Sequence, residues 1–310
     1  MFTLRLASVA LSFYILAYCG LSLCISLGWR LTTKLWRSFA PAGAADFLFG
    51  LRLFPLLGAL ALTAVYVVPS YLVLEPVHID EPVGPMLVVL TAGAFACLLA
   101  GILRTADAQR RTSQVLSRWV AGAKLTELPT PVLRLLHHDP ILTVAGIFAP
   151  QVLVSETAAS ILTRKELEVA LRHELAHIHH RDNLKKLLFR FATFPAMARL
   201  ESAWVETSEM AADDAAVSNP SEALDLASAL IKLSRFAPVQ SSRAISSTLL
   251  PVSGASLSLR LGRLFNWARP DNRKRASYVV PSVATIGIVA FLTYRPMLSA
   301  AHAMTEWLVR

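Results

Sequence analysis

The sequence predicts a mainly α, α+β membrane protein, with four transmembrane helices and a cytoplasmic domain inserted between the third and the fourth. Three observations carry this. Hydrophobic residues make up 55% of the 310 and charged ones only 16%, too apolar a balance for an ordinary water-soluble domain. The apolar residues gather into four runs of spanning length. Between the third and fourth runs, residues 104–276 leave room for one compact domain. The net formal charge of +9 collects at the ends of the runs. That placement suits the anionic inner leaflet of a bilayer better than nucleic acid, and no direct nucleic-acid binding is expected.

Residues 1–103 read as a membrane region with spans at about 6–28, 53–74 and 86–103. The first run follows Arg5, yet it is too long for a signal-peptide core and no small-residue cleavage site with a polar continuation comes after it, so a retained span is expected. A basic loop with Arg30, Lys34, Arg37 and Arg52 comes next. The second span holds Pro55 and Pro69, tolerated in membrane helices when the freed backbone groups find other partners. The loop from Glu75 to Pro85 is acidic and lacks Lys and Arg, whereas Arg104, Arg110, Arg111, Arg118 and Lys124 come directly after span three. Span four, 277–294, is preceded by Arg269, Arg273, Lys274 and Arg275. The positive-inside rule then puts 104–276 in the cytoplasm, and the tail after Arg295 outside, of a bacterial-type inner membrane. Cys19, Cys24 and Cys97 all fall in apolar runs and show no metal-binding spacing.

Within 104–276, Ala106–Leu125 continues the third helix, and Pro129, Pro131 and Pro140 punctuate the next segment. The small Ala145-Gly146 pair between two β-rich runs predicts a hairpin. Pro150 in the second run suggests an edge strand, and Ala149, Pro150, Gln151 and Val152 become candidates for pairing with an extended substrate. Thr163-Arg164-Lys165-Glu166 reads as a capping box opening a helix through Ile178. Helices are also expected around Trp204–Val217, over Glu222–Phe236, and from Leu257 to Trp267, the last after a Ser- and Pro-rich loop.

The capped helix carries His173-Glu174-Leu175-Ala176-His177, an H-E-x-x-H pattern. Two histidines four positions apart share a helix face and can bind one Zn²⁺. Glu174 is then placed to take a proton from a water polarised by the metal, which is the chemistry of peptide-bond hydrolysis. The motif recurs by chance in unrelated helices, so its context decides. Catalytic zinc sites take three protein ligands, and the candidates are Glu206 and Glu209, with His137, His138, His179 and His180 as rivals. Glu209 is favoured because Asp213 stands one turn later and can orient a ligating histidine. Asp182 is a second candidate for that orienting role, or simply a solvated acid at a helix end.

These elements resemble the BlaR/MecR-type membrane metallopeptidases. The resemblance rests on His173–His177 with the adjoining Ile178-His179-His180-Arg181-Asp182, on Glu209-x-x-Ala212-Asp213, on Gly146-Ile147-Phe148-Ala149-Pro150, and on three spans, a zinc domain and a fourth span. It implies His173, His177 and Glu209 as zinc ligands, Glu174 as general base, and signal transduction through cleavage of a transcriptional repressor. The expected partners are a protein or peptide substrate, a DNA-binding repressor among them, the lipid bilayer, and a second copy in a homodimer. The β-lactam sensors of that family carry a penicillin-binding domain after the fourth span, and residues 295–310 are too short for one. Two rival readings are a protease of the HtpX or prenyl-protein type, acting in membrane-protein quality control or processing, and a non-catalytic receptor that uses zinc to hold its cytoplasmic domain together.

Overall fold

The computed structural model describes residues 2–32, 36–75, 84–120, 124–127, 131–135, 142–236, 254–267, 294–304 and 306. They fall into two compact units. One comprises Met1–Gly28, Leu53–Gly101 and Asp271–Arg310, and the other Trp29–Arg52 and Ile102–Pro270.

The first unit is built on long apolar helices. These are α1 (Phe2–Gly28), the later part of α2 (Pro41–Leu62) with its continuation, and the first half of α4 (Pro85–Val120). A π-turn, Thr63–Val67, joins α2 to α3 (Val68–Leu74) just before Pro69, where the proline deprives the ladder of a donor. Among the described residues, three helical stretches are long and apolar enough to cross a membrane: Phe2–Gly28, Pro41–Leu74 and Pro85–Gln114. Inside the unit Val9, Val67, Tyr71, Leu87 and Ala301 form a buried cluster, and Ser12 donates to the Leu87 carbonyl. Residues 268–293, which hold nearly all of the expected fourth span, lie outside the described residues, as do 76–83 of the acidic loop.

The second unit contains a four-stranded sheet and a helical layer. The strands are β1 (Lys124–Glu127), β2 (Pro131–Leu135), β3 (Leu142–Ala145) and β4 (Gln151–Ser155), in the order β1-β2-β4-β3. β3 and β4 form the expected hairpin, with Ala145 opposite Gln151. Gly146 turns it at φ +97°, and a Cβ there would stand 2.6 Å from the Ala149 carbonyl oxygen, so the turn requires glycine.

Two expectations are corrected here. The second β run is not at the edge: β4 pairs with β2 on one side and β3 on the other. Ala149 and Pro150 sit in the hairpin connection, and Gln151 and Val152 begin an interior strand. Pro150 precedes the strand, so its missing N–H costs no ladder bond. The edge beside the zinc-motif helix is β3. Secondly, α4 ends at Val120 and Lys124–Glu127 is a strand, not helix. Short strands with a proline at the start of their partner leave too little periodicity to read.

Among the described residues of the second unit, six α-helices come after the hairpin. α5 (Glu156–Ile161) leads into α6 (Arg164–His179), which opens with the expected capping box. Glu166 closes the box by accepting from Thr163 N at 2.7 Å, and it also accepts from Lys232 Nζ and Ser228 Oγ. After α6 come α7 (Asp182–Phe191), α8 (Ala198–Ala216), α9 (Pro220–Phe236) and α10 (Gly254–Phe265). One side of α6 packs on the sheet: Leu171, Leu175 and Ile178 join Val144, Val152 and Val154. Val169 and Ala170, on another side, meet helices α8, α9 and α10 through Ala216, Leu226, Ala227, Ala229 and Leu264. The zinc-motif helix is thus held from both layers.

Arg52, read from the sequence as part of a basic loop, lies inside α2 and is 1% exposed. Its Nε donates to Glu201 Oε1 at 2.7 Å, and Nη2 donates to the carbonyls of Phe189 and Ala192. A guanidinium can be buried here because its fork meets a carboxylate and two helix-end carbonyls together.

Candidate metal centre

The i, i+4 spacing of His173 and His177 brings their Nε2 atoms to 3.2 Å, with the rings at 85° to one another. α8 supplies the third group. Glu209 Oε2 lies 3.6 Å from His173 Nε2, and Oε1 lies 3.6 Å from His177 Nε2. Donor atoms of these three residues all fall within 4.8 Å of one another. Glu206 instead lines a recess with Trp36, Phe39, Met210 and Arg263. His179 and His180 lie side by side at the end of α6, and His137 and His138 lie outside the described residues.

Each histidine is backed by an aspartate. His177 Nδ1 donates to Asp182 Oδ2 at 2.6 Å, and His173 Nδ1 is 3.0 Å from Asp213 Oδ1. An ionised carboxylate only accepts, so the proton sits on Nδ1 and the Nε2 lone pair of a neutral ring points at the shared space. The backbone explains how Asp182 gets there. Arg181 adopts the left-handed conformation at φ 54°, breaking α6 from α7, and Asp182 becomes the buried first residue of the next helix. The N-terminal dipole of α7 favours its charge.

A residue that sequence reasoning missed completes the cluster. Arg260 of α10 is 6% exposed. Its Nε and Nη2 donate to Asp213 at 2.8 and 2.6 Å, and Nη1 donates to Glu209 Oε2 at 2.8 Å. The signal available was weak: an arginine in the pattern Leu259-Arg260-Leu261, on a basic amphipathic helix, reads as a solvated residue.

The electrostatics are set by these contacts. Burial disfavours charge on His173, but Asp213 and Glu209 outweigh it and push the imidazole pKa up to about 10. Burial opposes ionisation of Glu209 and Asp213 as well. Arg260 and the histidines more than offset this, holding Glu209 well below, and Asp213 below, the usual carboxylate range. Glu174 shifts the other way: desolvation raises its pKa, against the pull of His173 and His177. A raised carboxylate pKa suits proton transfer near neutrality. The cluster therefore separates an ionised carboxylate in the ligand position from a more basic one beside it.

The donor set fits zinc. Two imidazole nitrogens and one carboxylate make a three-ligand catalytic set that leaves a position open. Bonds of about 2.0–2.1 Å in tetrahedral geometry separate ligand atoms by roughly 3.3–3.4 Å, close to the 3.2–3.6 Å found here. Beside His177 opens a recess of about 340 Å³, walled by Val144, Ile147, Pro150, Ile178 and Leu184. Asn183 braces it by donating to the Gly146 carbonyl at 2.8 Å.

No curated protein and no solved structure matches the chain. The model of one family, described as BlaR1 peptidase M56, matches residues 86–261. That stretch is more than half of the chain and contains His173, Glu174, His177, Glu209, Asp213 and Arg260. With long apolar helices before it and at its start, and a His-His-Glu cluster within it, the chain belongs to the BlaR1 peptidase M56 family of membrane metallopeptidases.

Proposed function

We propose that the chain is a zinc endopeptidase that cleaves a protein substrate on the cytoplasmic side of a bacterial-type inner membrane. We further propose that its substrate is a transcriptional repressor, so that cleavage transmits a signal. One observation carries the catalytic reading: His173, His177 and Glu209 converge, with each histidine backed by an aspartate and Glu174 beside them. A purely structural zinc site is normally closed by four ligands and has no need of a base.

Bound zinc supplies Lewis-acid activation of water and of the scissile carbonyl. The chain's own residues do the rest. Asp182 and Asp213 fix the histidine tautomers. Glu174 accepts the proton of the attacking water and passes it to the departing amine. A substrate strand adds to the outer edge of β3, which has no strand partner there among the described residues. A substrate side chain enters the apolar recess beside His177. The cytoplasmic orientation rests on the basic residues that come after span three and before residue 277, and the repressor on likeness to the BlaR1 family.

The test compares cytoplasmic protein fragments in host cells carrying wild type or Glu174→Ala. Fragments of a small DNA-binding protein should vanish in the variant while zinc content is unchanged. Identical fragment profiles with equal zinc would leave a zinc-stabilised receptor in its place.

A further inference from the structure

Arg260 has a role that the zinc ligands and the base do not cover. It reaches the site from α10, 47 residues beyond Asp213. All three of its guanidinium nitrogens donate to carboxylates, and its side chain is 7% exposed. A group so engaged is not presented to a substrate carbonyl, which separates it from an oxyanion-stabilising arginine. Its contacts instead constrain two other residues. Glu209 Oε2 accepts from Arg260 while lying 3.6 Å from His173 Nε2, and Oε1 lies 3.6 Å from His177 Nε2. Asp213 has both oxygens held, with Oδ1 kept 3.0 Å from His173 Nδ1.

We propose that Arg260 is a positioning residue: it holds the Glu209 carboxylate turned toward the two histidines, and it fixes Asp213 against His173. The inference rests on the zinc-peptidase reading above. A Glu209 and an Asp213 released from this hold would leave the ligand carboxylate and the His173 ring without a fixed orientation. Neighbouring acids without a counter-charge would also repel one another. Lysine cannot substitute. An ammonium is a point charge without the planar fork that spans Asp213 and Glu209 together.

The neighbouring pair provides a control. Arg263 of α10 donates to Asp214 of α8, joining the same two helices without touching a ligand. The experiment purifies the full chain in detergent as wild type, Arg260→Lys, Arg260→Gln and Arg263→Gln. Zinc affinity is read by chelator competition, metal coordination by X-ray absorption, and folding by circular dichroism. The expected result is that Arg260→Lys, folded, binds zinc about tenfold or more weakly and shows an altered ligand shell around the metal, while Arg263→Gln matches wild type. Equal affinity and coordination in Arg260→Lys would overturn the proposal. So would an equal loss in Arg263→Gln, or failure of both Arg260 variants to fold, since either makes Arg260 a helix-packing residue. Wild type that takes up no zinc would instead overturn the metallopeptidase reading itself.

Discussion

His177 and Asp182 are five residues apart in the chain, yet His177 Nδ1 lies 2.6 Å from Asp182 Oδ2 across the break between two helices. The left-handed backbone of Arg181 makes the approach possible. Replacing Asp182 with Asn leaves the shape and removes the charge that holds the ring. Zinc affinity should fall by about 10–100-fold, as measured by chelator competition. An unchanged affinity would reduce Asp182 to a helix-start residue.

The raised pKa of His173 sets a pH dependence. Its pKa of about 10 in the metal-free protein means that the proton is bound throughout the neutral range and must leave as zinc enters. Apparent zinc affinity should therefore weaken as pH falls, by about tenfold per unit from this group alone. Competition titrations at several pH values between about 6 and 8.5 would show the slope. A flat profile would contradict this protonation state.

Glu166 ties the start of the zinc-motif helix to α9 and is held at about 2, against an ordinary 4.5. Burial opposes that shift, and the hydrogen bonds from Lys232, Ser228 and Thr163 overcome it. A depressed carboxylate pKa stabilises the fold above its unfolded value. This contribution should persist above about pH 4.5 and disappear as pH falls from there through about 2. Glu166→Gln should cost roughly 2 kcal/mol near neutrality and flatten the acid limb of a pH-dependent denaturation curve. Wild-type acid sensitivity in the variant would assign that limb to other carboxylates.

The recess beside His177 predicts selectivity. Filling it through Ile147→Trp should lower kcat/KM for substrates with a large apolar residue next to the scissile bond by about 10–200-fold. Small-residue substrates should suffer less. A peptide library cleaved by both proteins reads this directly, and equal losses across the library would place the substrate elsewhere.

The helix that carries His173 and His177 was legible because its signals are local. The capping box, the i, i+4 histidines and the pairing of Glu209 with Asp213 each lie within one or two turns, where spacing fixes geometry. The features that were not legible depend on contacts remote in sequence. Arg260 reaches Glu209 from 51 residues away, and the burial of Arg52 depends on Glu201, 149 residues on. The edge assignment of the hairpin failed for a similar reason. Pro150 marked the start of a strand, while the partner that makes β4 interior is β2, a short segment with little pattern of its own.

The most direct measurement of the central claim is zinc stoichiometry together with peptide hydrolysis for purified wild type and Glu174→Gln. In the proposed mechanism Glu174 belongs to the chemistry rather than to the ligand set. The account predicts one zinc per chain in both proteins, with hydrolysis in wild type reduced by about 10²–10⁴-fold or more in the variant. Equal hydrolysis in the two, or a wild-type protein that binds no zinc, would contradict it.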